Sequence, residues 1–251
     1  MLKRPRFEFD RRKLLGLATG GLAAGAAAPF AAFAQSAEGA PLKIATIGAG
    51  REGGALGTLF AKQGLSVMFS SRHPEELKDL VASAGPTARA GTVEQAVGFG
   101  DVILLVVPYT AVEQIGKDYG KALAAKQLVI DVSNPIARRD GDAIVTWVGE
   151  QGGAGLATAK LLPGARLVRG FNAINFAKLT ADAHRPGEPI GVPIAGDDPG
   201  ALATATGLIK TIGFEPVIVG GLAMGKYLVP GTPLAGEHTA AEIRQIVSSL
   251  K

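Results

Sequence analysis

A glycine loop at residues 48–53 limits the folds open to this chain. An apolar, β-branched segment precedes the loop and an alanine-rich segment that can form a helix follows it. Gly48, Gly50 and Gly53 have the spacing G-x-G-x-x-G, which is typical of the turn between the first strand and the first helix of a dinucleotide-binding βαβ unit. The sequence therefore predicts nucleotide phosphates at the N-terminus of that helix, where unpaired amides and the helix dipole favour negative charge.

The end of the second predicted strand, residues 65–70, should carry the residue that reads the adenosine ribose. Ser71 and Arg72 stand there, with no Asp or Glu that could accept a hydrogen bond from a free 2′-hydroxyl. A hydroxyl and a guanidinium can instead donate to a 2′-phosphate, the guanidinium in a bidentate manner. This favours NADP(H) over NAD(H); the alternative is that Arg72 is a solvated charge at a strand end.

The segments after this unit predict a doubly wound α/β fold with a mostly parallel sheet. The apolar run at 101–107 lacks alternation, which is typical of a parallel strand buried on both faces, and residues 128–132 are predicted to form a further strand. Further strands are predicted near 87–90, 190–195 and 215–219. Asp198 with Pro199 has the pattern of a helix start rather than of a metal site. We expect a dinucleotide-binding domain over residues 41–165, and a C-terminal part over residues 166–251 that completes the sheet and the acceptor pocket.

Polar and small residues follow two of these predicted strands. Pro108 and Tyr109 come after the first, and Ser133, Asn134 and Pro135 after the second. Because open α/β sheets bind ligands at the carboxyl ends of their strands, these residues are candidates to line the nicotinamide half of the site. For Asn134 and Pro135, a plain turn is an equally good interpretation.

The charge of the chain gives no support for nucleic-acid binding. Six of the 26 basic residues and two of the 22 acidic residues lie in the first 13 positions, so the chain from residue 35 onward is balanced. A near-neutral protein has no excess of cations for a phosphate backbone. The chain also has no cysteine, which excludes disulfides and thiolate zinc sites.

Residues 1–34 have the pattern of a signal peptide. Basic residues precede an uncharged run that ends in the small-x-small sequence AFA. The stretch DRRKLL resembles a twin-arginine export signal, which implies export after folding through the twin-arginine machinery to the periplasm or beyond, and no stable membrane span after cleavage. The alternatives are an uncleaved anchor or a disordered extension. If export is correct, we expect NADP(H) to be tightly held, because free nucleotide should be scarce outside the cytoplasm.

Several strings together resemble the NADPH-dependent oxidoreductases of the deazaflavin coenzyme F420 family. They are IGAGREGGALG, FSSR, DVILLVVPYTAV, LVIDVSNP, LLPGARLVRGFNAIN, PIAGDD and IGFEPVIVGGLAMGKYL, in family order over about residues 42–229. The resemblance implies one doubly wound domain with a small C-terminal extension, and hydride transfer between NADP(H) and a deazaflavin ring. Related domains occur in membrane metalloreductases, where a flavin takes the hydride.

The resemblance also implies a set of cofactor-binding residues. Phosphate contacts are implied at Gly48, Gly50, Arg51, Glu52 and Gly53, 2′-phosphate contacts at Ser71 and Arg72, a nicotinamide-side wall at Val107 and Pro108, and a neighbouring wall at Asn134, Phe171 and Asn172. One departure is that Glu75 and Glu76 follow the Ser-Arg pair where members of the family often have a further basic residue.

The main functional hypothesis is hydride transfer between NADP(H) and a deazaflavin or flavin acceptor, either of which would be a small-molecule partner. Such a reaction needs two rings held together in a dry slot, and it needs no catalytic side chain. Small residues at Gly170, Ala173, Gly220 and Gly221 would leave room for the second ring, but small residues equally permit close backbone packing. The alternatives are a non-catalytic NADP(H)-binding redox sensor, or a reductase of an unidentified small substrate or metal chelate. An apolar C-terminal patch would favour a homodimer.

Overall fold

The computed structural model describes residues 41–250, so the predicted leader lies outside the described residues. Within that range eight strands form one sheet. The strands are β1 (Lys43–Ile47), β2 (Ser66–Ser70), β3 (Ala88–Gly91), β4 (Val102–Leu105), β5 (Leu128–Asp131), β6 (Leu167–Arg169), β7 (Gly191–Gly196) and β8 (Glu215–Gly220).

The strand order confirms the predicted doubly wound sheet. It is β3-β2-β1-β4-β5-β6-β7-β8, and every neighbouring pair is parallel except β6 with β7. The chain winds outward from β1 in one direction and then restarts from β4 in the other. The crevice between the carboxyl ends of β1 and β4 is therefore the place where such sheets bind ligands.

Ten α-helices connect or follow the strands in residues 41–250. They are α1 (Arg51–Lys62), α2 (Lys78–Ala84), α3 (Val93–Phe99), α4 (Val112–Ala124), α5 (Ala137–Asp140), α6 (Asp142–Glu150), α7 (Ala154–Leu161), α8 (Phe176–Asp182), α9 (Pro199–Thr211) and α10 (Ala240–Ser249). Helix α9 begins as predicted, because the Asp198 carboxylate accepts from the Ala201 backbone amide at 2.6 Å and Pro199 takes the first helical position. No helix in this range is long and apolar enough to cross a membrane.

The core lies on both faces of the sheet. Every residue of β4 and β5 is buried, which explains their lack of alternation. One large apolar cluster contains alternate residues of the strands, including Ile44, Leu104 and Ile130, and a second contains their neighbours Ala45, Ile103 and Val129. A smaller cluster forms between β8 and α10. Strands from both predicted parts of the chain, residues 41–165 and residues 166–251, are hydrogen-bonded in this one sheet.

Candidate functional site

A cleft of about 260 Å³ opens at the carboxyl ends of the central strands. Its walls come from the loops after β1, β4, β5 and β6. Nine of the predicted cofactor-binding residues line it: Gly50, Arg51, Glu52, Gly53, Val107, Pro108, Asn134, Phe171 and Asn172. Arg51 and Phe171, which are 120 positions apart in the sequence, thus line the same cleft.

The other three predicted residues lie beside or beneath this cleft. Gly48 packs against Val106, which lines the cleft, because a Cβ at Gly48 would stand 2.2 Å from the Val106 carbonyl oxygen. Ser71 and Arg72 follow β2, the next strand from β1, and the Arg72 side chain is exposed. That position suits a contact with the ribose half of a dinucleotide rather than with its nicotinamide end.

The glycine loop has the local geometry that its spacing predicted. Gly48 has φ +99°, a backbone conformation that L side chains rarely adopt. A Cβ at Gly53 would stand 2.0 Å from the Gly48 carbonyl oxygen, so the close approach of α1 to the loop requires glycine. A Cβ at Gly50 would meet no atom within 4 Å in the described structure. Gly50 is therefore not required for packing, and its backbone is accessible from the cleft.

The N-terminus of α1 is open to an anion. Gly50 is its N-cap residue and has no side chain that could accept from the first amides of the helix. An anion in the cleft would accept hydrogen bonds from these amides and would interact favourably with the helix dipole. The loop and helix therefore fit the pyrophosphate of a dinucleotide.

A fully buried ion pair supports the opposite wall. Arg169, on β6, donates from Nη1 to Asp131 Oδ2 at 2.6 Å, and both side chains are 0% exposed. The second carboxylate oxygen of Asp131 accepts from the Ser133 amide at 2.9 Å, and the Ser133 hydroxyl also contacts it. Because a buried carboxylate and guanidinium are each costly without the other, the pair ties the end of β5 to β6.

Two asparagines extend this network to the cleft surface. The Asn134 Oδ1 accepts from Arg169 Nη2 at 3.1 Å, and its Nδ2 donates to the Asn172 carbonyl at 2.9 Å. The Asn172 Nδ2 donates to the Asp131 and Ser133 carbonyls at 3.0 and 3.3 Å. Asn134 is therefore a fixed part of the wall, and more than a plain turn residue. Phe171, which also lines the cleft, precedes Asn172 and has φ +64°, a left-handed conformation that is uncommon for a residue with a side chain.

Glu52 is the titratable group of the glycine-loop wall whose protonation changes near neutral pH. Burial raises its pKa to about 7, although a hydrogen bond from the Phe176 backbone amide partly opposes this shift. One of its carboxylate oxygens, Oε1, is buried and has no hydrogen-bond partner within residues 41–250. Arg51, its neighbour, lies with its guanidinium 5.8 Å from the Phe176 ring, so α8 covers this side of the glycine loop.

The raised pKa of Glu52 makes the stability of the folded protein depend on pH. Between the ordinary value of 4.5 and about 7, the folded protein keeps a proton that the unfolded chain has lost. The free energy of unfolding should therefore fall with rising pH across this range, by up to about 3 kcal/mol. We expect Glu52→Gln to remove this fall, and Glu94→Gln, at the exposed start of α3, to keep it.

Urea unfolding of the parent and both variants at pH 5 and pH 8 measures this effect. The difference between Glu52→Gln and the parent should be larger at pH 8 than at pH 5. Equal differences at the two pH values would show that the pKa of Glu52 is not raised in the folded protein.

Some residues proposed from the sequence do not lie in the cleft. Tyr109 is buried outside it, where its hydroxyl contacts Thr158 Oγ1 at 3.0 Å and donates to the Ala154 carbonyl at 3.3 Å. Burial raises the pKa of Tyr109 to about 12, so the group stays a phenol. The expectation that Gly170, Gly220 and Gly221 leave room for a second ring is also wrong. A Cβ at these positions would contact Ile194, Met224 and Asp197 respectively, so these glycines allow close packing instead.

The cleft also contains residues that the sequence did not single out. They are Val106, Val132, Ile136, Arg139 and Ile174. Ser133, a candidate from the sequence, also lines the cleft. Ile136 and Arg139 belong to the short helix α5 and its N-cap, for which the sequence analysis made no prediction. Gly141 ends this helix with φ +86°, and α6 starts directly after it. A single turn of helix has too few residues to show helical periodicity.

Comparison with known proteins supports the family resemblance. The sequence model of a protein family described as "NADP oxidoreductase coenzyme F420-dependent" matches residues 43–135. The matched range contains the glycine loop, Ser71, Arg72, Val107, Pro108 and Asn134, so most of the predicted site lies within it. No curated protein matches the chain significantly.

Solved structures with this fold include several oxidoreductases. A hypothetical protein of Sinorhizobium meliloti is 24% identical with a TM-score of 0.65, and the match covers 78% of this chain and 94% of that one. A candidate F420-dependent NADP reductase of Arthrobacter is 18% identical with a TM-score of 0.61, covering 82% and 91%. An imine reductase of Myxococcus stipitatus, solved with NADP+, is 18% identical with a TM-score of 0.55, covering 84% and 62%. At these identities the likeness shows the Rossmann-like fold.

Proposed function

We propose that this protein is an NADP(H)-dependent oxidoreductase that passes hydride between NADPH and a deazaflavin or flavin acceptor. One observation carries the proposal: a single cleft joins the open N-terminus of α1 to an apolar wall at the ends of β4 and β5. The match of residues 43–135 to F420-dependent NADP oxidoreductases supports it.

The two halves of the cleft suit the two ends of a nicotinamide nucleotide. Gly50, Arg51 and Gly53 would hold the pyrophosphate, with Ser71 and Arg72 at the 2′-phosphate. Val107 and Pro108 would lie against one face of the nicotinamide ring, and Asn134, Phe171 and Asn172 would form the neighbouring wall. NADPH, when bound, supplies the hydride; the residues of this chain fix the ring and keep water from its reactive carbon.

The buried network around Asp131 and Arg169 holds the neighbouring wall of the cleft rigid. Hydride transfer depends steeply on the distance and angle between the two rings, so a wall that shifts by about 1 Å can cost about 100-fold in rate. The Asp131–Arg169 pair fixes Asn134 and, through it, the backbone at Asn172. We infer that this pair positions the cofactor wall without itself reacting.

The cofactor preference should depend on Arg72. We expect Arg72→Ala to weaken NADPH binding by about 10- to 100-fold, the worth of a charge-assisted hydrogen bond, and to leave NADH binding nearly unchanged. Lys62→Ala, which removes an exposed cation in the last turn of α1, is the matched control and should change neither. Fluorescence titration of both nucleotides measures the four affinities. Equal losses for NADPH and NADH would show that Arg72 does not read the 2′-phosphate.

The acceptor is tested by following the oxidation of NADPH by the purified protein. Oxidised deazaflavin coenzyme, FMN, FAD and a ferric chelate are offered in turn, and absorbance of the reduced nicotinamide is recorded. Rapid oxidation by a deazaflavin or flavin supports the proposal. Oxidation by the chelate alone would favour a metal-chelate reductase, and tight binding of NADPH without oxidation would favour a redox-sensing module.

We also propose that the protein is exported by the twin-arginine route, on the pattern of residues 1–34 alone. The composition of that segment and its AFA ending support cleavage before Gln35. Expression of the full chain in a bacterium with this pathway, followed by mass measurement of the periplasmic product, tests it. A product that begins at Gln35 and appears only when the pathway is intact is expected; retention of residues 1–34 in the cytoplasm would contradict export.

A further inference from the structure

A second arginine lines the cleft far along the chain from the glycine loop. Arg139 lies on α5, directly after β5, and it shares the cleft with Arg51 at the start of α1. Neither the predicted phosphate site nor the predicted nicotinamide wall includes Arg139. Because no predicted contact uses the charge of Arg139, its presence in the cleft needs a physical account.

The guanidinium of Arg139 is held in one orientation by the protein. Its Nε donates to Asp140 Oδ1 and Oδ2 at 3.2 Å each, and its Nη2 donates to Asp140 Oδ2 at 2.8 Å and to the Asn134 carbonyl at 2.6 Å. Asp140 is itself fixed, because its side chain is 0% exposed and accepts from the Ile136 amide at 2.9 Å. Burial raises the pKa of Asp140, but the hydrogen bonds from Arg139 and from backbone amides outweigh it and hold the pKa below its usual value.

The hydrogen bonds leave one end of the guanidinium free. The Nε hydrogen and both Nη2 hydrogens are directed to Asp140 and Asn134, whereas Nη1 has no hydrogen-bond partner among residues 41–250. The side chain is 42% exposed. Two N–H groups on a rigid cation are thus available to a ligand, and a carboxylate or phosphate is the partner that a guanidinium binds best.

We propose that Arg139 binds an anionic group of the electron acceptor, so that the protein selects acceptors whose ring carries a phosphate or carboxylate on its side chain. This inference rests on the proposed function. The phosphates of NADPH belong at the N-terminus of α1 and at the end of β2, whereas α5 follows β5, on the other side of β4. An anion at Arg139 therefore comes from the second substrate.

FMN and riboflavin provide the sharpest test, because they share one ring and differ in a phosphate. We expect the protein to oxidise NADPH with FMN at least about 10-fold more efficiently than with riboflavin, the worth of one charge-assisted pair. Arg139→Gln should remove this preference and leave the affinity for NADPH unchanged. Arg138→Gln is the matched control, since Arg138 is an exposed neighbour on the same helix that does not line the cleft.

A second variant guards against loss of folding, because Arg139→Gln leaves the buried Asp140 without its cation. Arg139→Lys keeps the charge beside Asp140 but loses the paired N–H groups of the planar guanidinium. It should reduce the preference for FMN without removing it. Binding of FMN and riboflavin to the NADP+-loaded protein, measured by calorimetry, reports the same preference without turnover.

The outcomes separate the two proposals. Equal use of FMN and riboflavin, or a preference that survives in Arg139→Gln, would overturn the role of Arg139 while hydride transfer stands. A loss of NADPH affinity in Arg139→Gln would assign the anion to the nucleotide and would also overturn it. Binding of FMN that depends on Arg139, with no turnover by any acceptor, would instead overturn the proposed function and support the anion site.

Discussion

Asp131→Asn is expected to destabilise the protein by about 3–5 kcal/mol, because it leaves the Arg169 guanidinium buried without its counter-ion. Both side chains are 0% exposed, so water cannot replace the lost partner. Arg169→Met should cost a similar amount by leaving the Asp131 carboxylate unpaired. The hydrogen bond from Arg169 to Asn134 would also be lost, and the contact of Ser133 with Asp131 would be disturbed.

The double variant Asp131→Leu, Arg169→Met is the control. If the cost comes from unpaired charge, the double variant should be more stable than either single variant, because no buried charge remains. Urea unfolding of the three variants and the parent gives the four free energies of unfolding. Single-variant losses below about 1 kcal/mol, or losses that simply add, would contradict a tightly coupled pair.

Gly53→Ala is expected to weaken NADPH binding by about 100-fold or more, since the added Cβ would stand 2.0 Å from the Gly48 carbonyl oxygen and must push α1 away from the loop. The amides at the start of α1 would then no longer converge on the pyrophosphate. The free energy of unfolding should also fall, because α1 packs on the sheet through this contact.

Two further glycine variants separate packing from binding. Gly50→Ala meets no atom within 4 Å in the described structure, so it should keep the stability of the parent and lose affinity, because the methyl group would occupy the ligand's space. Gly98→Ala, in α3, also meets no atom within 4 Å and should change neither affinity nor the midpoint of thermal unfolding beyond about 5 °C. Affinity in Gly53→Ala or Gly50→Ala within threefold of the parent would mean that the loop does not bind the nucleotide.

The sheet could be predicted from the sequence because its central strands are buried on both faces. The apolar runs that became β4 and β5 are short and rich in β-branched residues, which favours buried strands over helices, and the glycine loop predicts β1 and α1 beside them. The ends of these strands were predicted less well. The run 101–107 continues as apolar residues after β4 ends at Leu105, because Val106 and Val107 form the wall of the cleft instead.

The parts of the site that could not be predicted depend on contacts between distant segments. Nothing in the sequence near Arg169 shows that it will be buried against Asp131, because a basic residue in a strand is usually exposed. Arg139 was missed for a related reason: it belongs to one turn of helix, and its place in the cleft is set by Asp140 and by the loop after β5. The glycines at 170, 220 and 221 show the opposite error, since small residues indicate either space or close packing and the sequence does not distinguish the two.

The most direct test of hydride transfer in this cleft uses NADPH with deuterium at one or the other of its two C4 positions. The purified protein is mixed with each labelled nucleotide and with oxidised deazaflavin or FMN, and the oxidation of NADPH is followed by stopped flow. Because a fixed wall presents one face of the ring, we predict that one label slows oxidation several-fold with at least one acceptor and that the other label has little effect. With deazaflavin, the label from that position should be found on the reduced ring. Tight binding of NADPH without oxidation by either acceptor would contradict the account and would leave a nucleotide-binding protein of another function.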